Sequence, residues 1–308
     1  CGTTRGKWIK KWKFAPAMQS SPFKRTTGPL AQGQTIISTR PVAIWVYAGV
    51  IMLLIQVILG GITRLTGSGL SITEWDVVTG AMPPLNHTQW TQAFDAYKQS
   101  PQFRILNSDF SLADYKFIFF WEWFHRLWAR LIGVVFLIGF FWFLAKRMLN
   151  RWMIGQLALL FVLGALQGTV GWIMVASGLV GDAIYVAPAK LALHFVFALG
   201  LISYTFWFAL QLSVPAGARL LAQPLSTTVH PPSAHRRLPA QARTLRQMTA
   251  LILILLGFQL LYGALMAGHK AANVAATWPE INGSWIPDSL FTLHPILRDL
   301  VGNKLTVH

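Results

Sequence analysis

Five stretches of the chain are apolar for long enough to cross a bilayer, which takes about 20 predominantly apolar residues. They cover residues 43–63, 116–146, 154–176, 189–213 and 248–268. Between them the pattern turns polar in segments of very different length. Residues 64–115 form a long loop with two textures. Its first part, RLTGSGLSITEWDVVTGAMPP, is rich in Gly and Thr. Its second, NHTQWTQAFDAYKQSPQF, places Trp90, Phe94 and Tyr97 at helical spacing and predicts an amphipathic helix on the membrane surface. Ser111, followed three residues on by Asp114, predicts a capping box that opens the second span. A short basic turn joins spans two and three, and residues 177–188 join spans three and four. A Pro-rich linker, 214–247, leads to the fifth span, and a polar, aromatic tail runs from His269 to His308.

Composition agrees with the pattern. Of 308 residues, 54% are hydrophobic and 12% charged, which describes an all-α, multi-span membrane protein rather than a soluble domain. Residue 1 is Cys rather than Met, so a start further upstream or a processed one is expected. Cys1 is the single cysteine, which leaves no intramolecular disulfide and no Cys-based metal or haem-attachment motif. A net charge of +16 would point to nucleic acid in a soluble protein. Here its distribution gives another explanation. The tail 1–42, the turn 146–153 and the linker 214–247 hold sixteen basic residues and no acid. Nine of the ten acids lie in the segments on the other side. By the positive-inside rule the basic side is cytoplasmic or matrix, and residues 64–115 face outward. The tail 1–42 also matches the Arg-rich, acid-poor composition of an organellar targeting peptide.

The tenth acid is the exception that matters. Glu122 lies inside the second span, with His125, Arg126 and Arg130. Ionisable groups in a bilayer are costly and mark a functional site by default. Glu122 and His125, three apart, share one helical face. His125 lies about nine residues into its span, roughly 14 Å along the axis. His194 lies about five residues into the fourth span, entered from the same side. Two His on facing helices of a four-helix bundle are a standard way to hold a haem. Gly133, Gly164, Gly168, Gly171 and Gly200 would make room for a flat macrocycle. A single intramembrane His is as often a hydrogen-bonded structural residue; the pair at similar depth favours the cofactor. Glu122 has two readings of equal weight, an ion pair with Arg126 at i+4 or a carboxyl that moves protons. Arg64, Arg126 and Arg130 are candidate partners for carboxylates such as haem propionates, Arg64 being equally a membrane-edge anchor. His87, His230, His235, His269, His294 and His308 read as loop residues.

One spacing recurs: Gln56-x-x-x-Gly60, Gln167-x-x-x-Gly171 and Gln259-x-x-x-Gly263, in spans one, three and five. TEWDVVTGAMPP after span one is echoed by ATWPEINGSWIP after span five. Taken singly, Gln-x-x-x-Gly reads as small residues that let helices approach. Its recurrence at equivalent places reads as duplication.

At GGITRLTGSGLSITEWDVVTGAMPPL, KFIFFWEWFHRLWARLIG and LALHF the sequence resembles haem A synthase, with a likeness that extends through NGSWIPDSLFTLHPILRDL. The resemblance implies eight transmembrane helices in two similar four-helix halves, each placing a His pair around a haem. Residues 43–213 would be the first bundle and 248–308 the start of the second half, whose ligands would lie beyond residue 308. The 308 residues alone would then be inactive. The resemblance further implies His125 and His194 at the substrate haem and Glu122 as the catalytic carboxylate. The implied reaction oxidises a ring methyl of haem O through hydroxylated intermediates to the formyl group of haem A, for cytochrome c oxidase assembly, with haem B in the second half. Haem O synthase, an electron donor and a second copy of the chain are the implied partners, alongside the lipid bilayer and without nucleic acid. Residues 64–115 contain no cysteine, which excludes the thiol pair some members carry there. A bacterial cytoplasmic membrane is favoured over the mitochondrial inner membrane. The alternatives are a bis-His cytochrome b-type electron carrier and a haem carrier or assembly factor without turnover.

Overall fold

The computed structural model describes residues 39–73, 79–214, 240–271, 280–281, 283–288, 290 and 292–307. The basic tail 1–42 and the linker 214–247 fall mostly outside these residues, as do Glu74, Asp76, His230, His235 and His308. Nine α-helices and no strand occur among the described residues. Five helices are long and apolar enough to cross a membrane: α1 (Arg40–Leu65), α4 (Leu112–Ala145), α5 (Arg151–Ala176), α6 (Pro188–Ser213) and α7 (Ala240–His269). The chain is an all-α membrane protein. Two short helices, α2 (His87–Lys98) and α3 (Pro101–Leu106), lie in the long loop, and α8 (Ile296–Gly302) and α9 (Lys304–Val307) in the tail.

Local chemistry sets the helix starts. Pro41 and Pro188 occupy the first turns of α1 and α6, where a missing N–H is harmless. Asn150 caps α5, its side chain accepting from Met153 N at 2.9 Å. The predicted capping box is present: Ser111 Oγ accepts from Asp114 N, and the Asp114 carboxylate accepts from Ser111 N at 2.9 Å. The second span therefore begins at Leu112, one turn before the apolar run at 116. Along α1, Val42, Val46 and Val50 are buried one turn apart, whereas Ile44, Ile51 and Ile58 are exposed. An exposed Ile stripe is the face a lipid solvent requires.

The spans pack as antiparallel neighbours. Thr63, Gln56, Met52 and Trp45 of α1 meet Trp121, His125, Trp128 and Val135 of α4 in turn, through hydrogen bonds. Gln167, Gln156 and Trp152 of α5 meet His194, Tyr204 and Phe208 of α6 in the same opposed order. α1 packs on α4 and α6, and α6 on α5 and α7. Where α6 meets α7 the approach is close: a Cβ at Gly268 would lie 2.9 Å from Pro188 Cα. At the end of the bundle near residues 146–150, α1, α5 and α6 fill the space between them with Val42, Val46, Met153, Leu157, Phe208 and Leu212. Towards the long loop the filling stops.

The loop helix α2 forms where its aromatic spacing predicts, capped by Asn86 on Gln89 N at 2.9 Å. Its aromatic face is not turned to the bilayer as the sequence suggests. Phe94 and Tyr97 stack on Tyr115 at 5.0 and 5.2 Å, and Trp90 meets Phe119 edge-on at 5.0 Å. The start of α4 thus takes the surface that lipid was expected to take, because aromatic faces gain more from interdigitating with each other than from a bare interface. Tyr97 is fully buried, and that burial, together with the Glu122 charge, raises its hydroxyl pKa against the opposing hydrogen bond from Asn107.

Candidate functional site

Between the four bundle helices, α7 and the long loop lies a cavity of about 1530 Å³. Every sequence-predicted site residue lines it: Arg64, Glu122, His125, Arg126, Arg130 and His194. Gly133, Gly164, Gly168 and Gly171 line it too. Gly200 does not: it lies between the lining residues Ala198 and Leu201 but on an exposed face of α6.

Each histidine is seated against a Gln-x-x-x-Gly pair of the neighbouring helix. Gln56 Nε2 donates to the backbone oxygen of His125 at 3.2 Å, and a Cβ at Gly60 would lie 3.2 Å from His125 Nε2. Gln167 Nε2 donates to the backbone oxygen of His194 at 3.1 Å, and a Cβ at Gly171 would lie 2.8 Å from His194 Cε1. The amide nitrogen of Gln167 also lies 3.2 Å from His194 Nδ1. The amide oxygens of Gln56 and Gln167 are both buried without a hydrogen-bond partner. The spacing that suggested close helix approach thus has a more specific use, which only the packing of the two helix pairs reveals.

Glu122 is 2% exposed, and three donors converge on it. Arg126 Nη2 reaches Oε1 at 2.5 Å. Ser71 Oγ and Ile72 N donate to Oε2 at 2.7 and 2.9 Å. The ion pair expected at i+4 therefore exists. It is part of a larger knot, since Arg126 Nη2 also donates to the Ile72 backbone oxygen at 3.4 Å. Ser71 and Ile72 were missed by sequence reasoning. The hint was the polar Thr66-Gly-Ser-Gly-Leu-Ser71 run directly after a span, a turn-forming segment with hydroxyls to spare. Gly67 takes φ +67°, a left-handed conformation suited to Gly, and turns this segment back over the bundle. Tyr115 Oη donates to the Ser71 backbone oxygen at 3.3 Å and fixes it from the other side.

The three arginines part company. Arg126 serves Glu122. Arg64 donates to the backbone oxygen of Ala267, near the C-terminal end of α7, where helix carbonyls attract cations. Arg130, one turn beyond Arg126 on α4, faces the cavity. Among the described residues no cluster of three or more His, Cys, Asp or Glu could hold a bare metal ion. A pair of imidazoles across a large apolar cavity suits instead an iron whose other four ligands come from a porphyrin. The two glycine-backed seats fit that group, because they leave both rings free of any backbone or carboxylate clamp on the cavity side.

The profile of the cytochrome oxidase assembly protein family, COX15-CtaA, matches residues 43–308. A protein of Bradyrhizobium diazoefficiens named heme A synthase is 43% identical over 270 residues, covering 87% of this chain and 69% of its own length. A heme A synthase of Rhodopseudomonas palustris strain BisB18 is 43% identical, covering 86% of this chain and 68% of its own. One of Cereibacter sphaeroides strain ATCC 17025 is 39% identical over 290 residues, covering 92% and 67%. No solved structure matches.

Proposed function

We propose that this chain, which belongs to the haem A synthase family, seats haem O between His125 and His194 and oxidises one of its ring methyls to the formyl group of haem A. Membership makes it an integral membrane oxidoreductase of haem biosynthesis. The observation that carries the finer reading is the pair of equivalently built histidine seats facing one cavity, with a single buried carboxylate one turn from one of them.

A haem iron held there supplies one-electron redox chemistry. The chain's own residues do the rest. His125 and His194 would hold the haem between them. Glu122, one turn from His125, would take protons as the methyl and one water become the formyl group, a change that releases four protons in all and four electrons to an external acceptor. The carboxylate's two oxygens offer about four lone-pair sites, and three are taken by donors from Arg126, Ser71 and Ile72, which leaves one for a proton. Ser71 and Ile72 hold the Glu122 carboxylate in one orientation. Arg64 and Arg130 supply positive charge for the substrate's carboxylates. The basic segments set the loop end of the bundle, and so the site, towards the outer face.

Mass analysis of haem extracted from the purified protein tests the reading. Farnesylated haem O or haem A is the expected result. Haem B alone would make the protein a bis-His electron carrier or haem carrier instead.

A further inference from the structure

We propose that the two Gln-x-x-x-Gly pairs are positioning residues, each dedicated to the single histidine opposite it: Gln56 and Gly60 to His125, Gln167 and Gly171 to His194. The proposal rests on the haem reading for its purpose and on geometry for its substance.

The order within the motif follows from helix geometry. A side chain on an α-helix leans towards its own N-terminus. In an antiparallel pair, that direction runs towards the C-terminus of the neighbour. A glutamine level with the histidine backbone can therefore bond its carbonyl oxygen, and the imidazole arrives one turn further along the neighbour, at i+4. Any side chain at i+4 would strike the ring, so the position is Gly. Both helix pairs obey this. Gln56 bonds His125 O at 3.2 Å while the ring rests on Gly60; Gln167 bonds His194 O at 3.1 Å while the ring rests on Gly171. General helix approach does not explain the pattern. The nearest atoms to a Cβ at Gly60 or Gly171 all belong to the imidazole, none to the neighbouring backbone.

The glutamine does a second task. Its Nε2 is used on the histidine carbonyl, and its Oε1 stays buried and unbonded in both seats. In the α5–α6 seat the amide nitrogen also lies beside the ring itself, 3.2 Å from Nδ1 and 3.3 Å from Nε2 of His194, so one glutamine holds both the histidine carbonyl and the ring edge. A polar neighbour of this kind beside a ligating histidine fixes its tautomer and ring orientation. On α7 the spacing returns as Gln259 and Gly263, on the same cavity wall, and a Cβ at Gly263 meets nothing within 4 Å. The repeating unit is thus a helix pair: a cradle helix first, a histidine helix second.

The test uses imidazole ¹⁵N resonances of the haem-free protein, followed by titration with iron protoporphyrin IX. Gln167→Met and Gly171→Ala should each move the ring resonances of His194 by several ppm and leave those of His125 in place. Gln56→Met and Gly60→Ala should do the reverse. Gly155→Ala, on α5 away from the cavity and with open space around it, should move neither. With iron protoporphyrin IX bound, the four cradle variants should shift the absorption spectrum from low-spin towards high-spin, and Gly155→Ala should not. If an alanine variant fails to fold, the methionine variant of the same pair, which adds no atom against the ring, decides. Equal movement of both histidines, or of neither, overturns the proposal. If the wild type binds no iron protoporphyrin IX, the haem reading fails, while the resonances still decide the cradle assignment.

Discussion

His125 and His194 occupy seats of one construction, but what stands beside each histidine is different. Three residues before His125 is Glu122; three before His194 is Leu191. One residue after His125 is Arg126; one after His194 is Phe195. All four side chains line the cavity. The α1–α4 seat therefore carries a buried ion pair and a loop tied over it, and the α5–α6 seat an apolar wall. On the proposed reading, holding a planar ligand needs two equivalent points, and the two seats would supply them. The proposed chemistry on one edge of that ligand would need asymmetry, and of the two seats only the first carries a charged pair. If the duplicated support binds and the single polar insertion reacts, the two should fail independently under substitution.

Removing either histidine should produce the largest effect and erase the difference between the seats. His125→Ala and His194→Ala should each lower retention of the substrate haem by more than the roughly 10–100-fold that loss of a supporting partner costs. Haem content per mole of purified protein measures this. Glu122→Gln should split the seats. It keeps size and hydrogen-bonding capacity but cannot take a proton. Haem content should stay near the wild-type level, while haem A falls by about 10²–10⁴-fold, the usual worth of a positioned acid–base group. Haem O or a hydroxylated product should accumulate, as read by mass. Normal haem A in this variant would reduce Glu122 to the structural partner of Arg126. Loss of all haem would give it a role in binding or folding.

Ser71→Ala probes the same seat more gently. One hydrogen bond to the carboxylate is lost, worth about 1.5 kcal/mol, so haem A formation should drop on the order of tenfold with haem content unchanged. No counterpart exists on the α5–α6 side, where Leu191 offers nothing to bond. The smallest effect belongs to Tyr97→Phe, which removes hydroxyl bonds to Gln102 at 3.1 Å and Asn107 at 2.8 Å. The loop should lose about 1–2 kcal/mol of stability, seen as faster proteolysis between residues 99 and 111, with haem A nearly normal. The sign with pH follows from burial. The hydroxyl pKa is raised above its ordinary value of 10.0, so the buried neutral form supports the loop below pH 10 and that support is lost as pH climbs further. Tyr97→Phe should lack this alkaline loosening.

The sequence alone determined the five spans, the capping box at Ser111 and six chemically distinctive residues that line the cavity. These are legible because bilayer length, helix capping and the cost of charge in lipid act locally on the chain. Packing between helices left weaker marks. The aromatic face of α2 was visible as a face, but that it presses on α4 rather than lipid depends on Tyr115 and Phe119, far along the chain. Gln-x-x-x-Gly was visible as a repeat, but its meaning lies in an imidazole from another helix, at a separation of 69 residues in one case and 27 in the other. Ser71 and Ile72 had no mark of their own, since a hydroxyl and a backbone N–H become ligands of Glu122 only when a turn folds them over it. Short-range rules wrote the elements and the charged exceptions; which groups those exceptions bond to was decided by tertiary packing, because hydrogen-bond partners distant in sequence are brought together only by the close approach of whole helices.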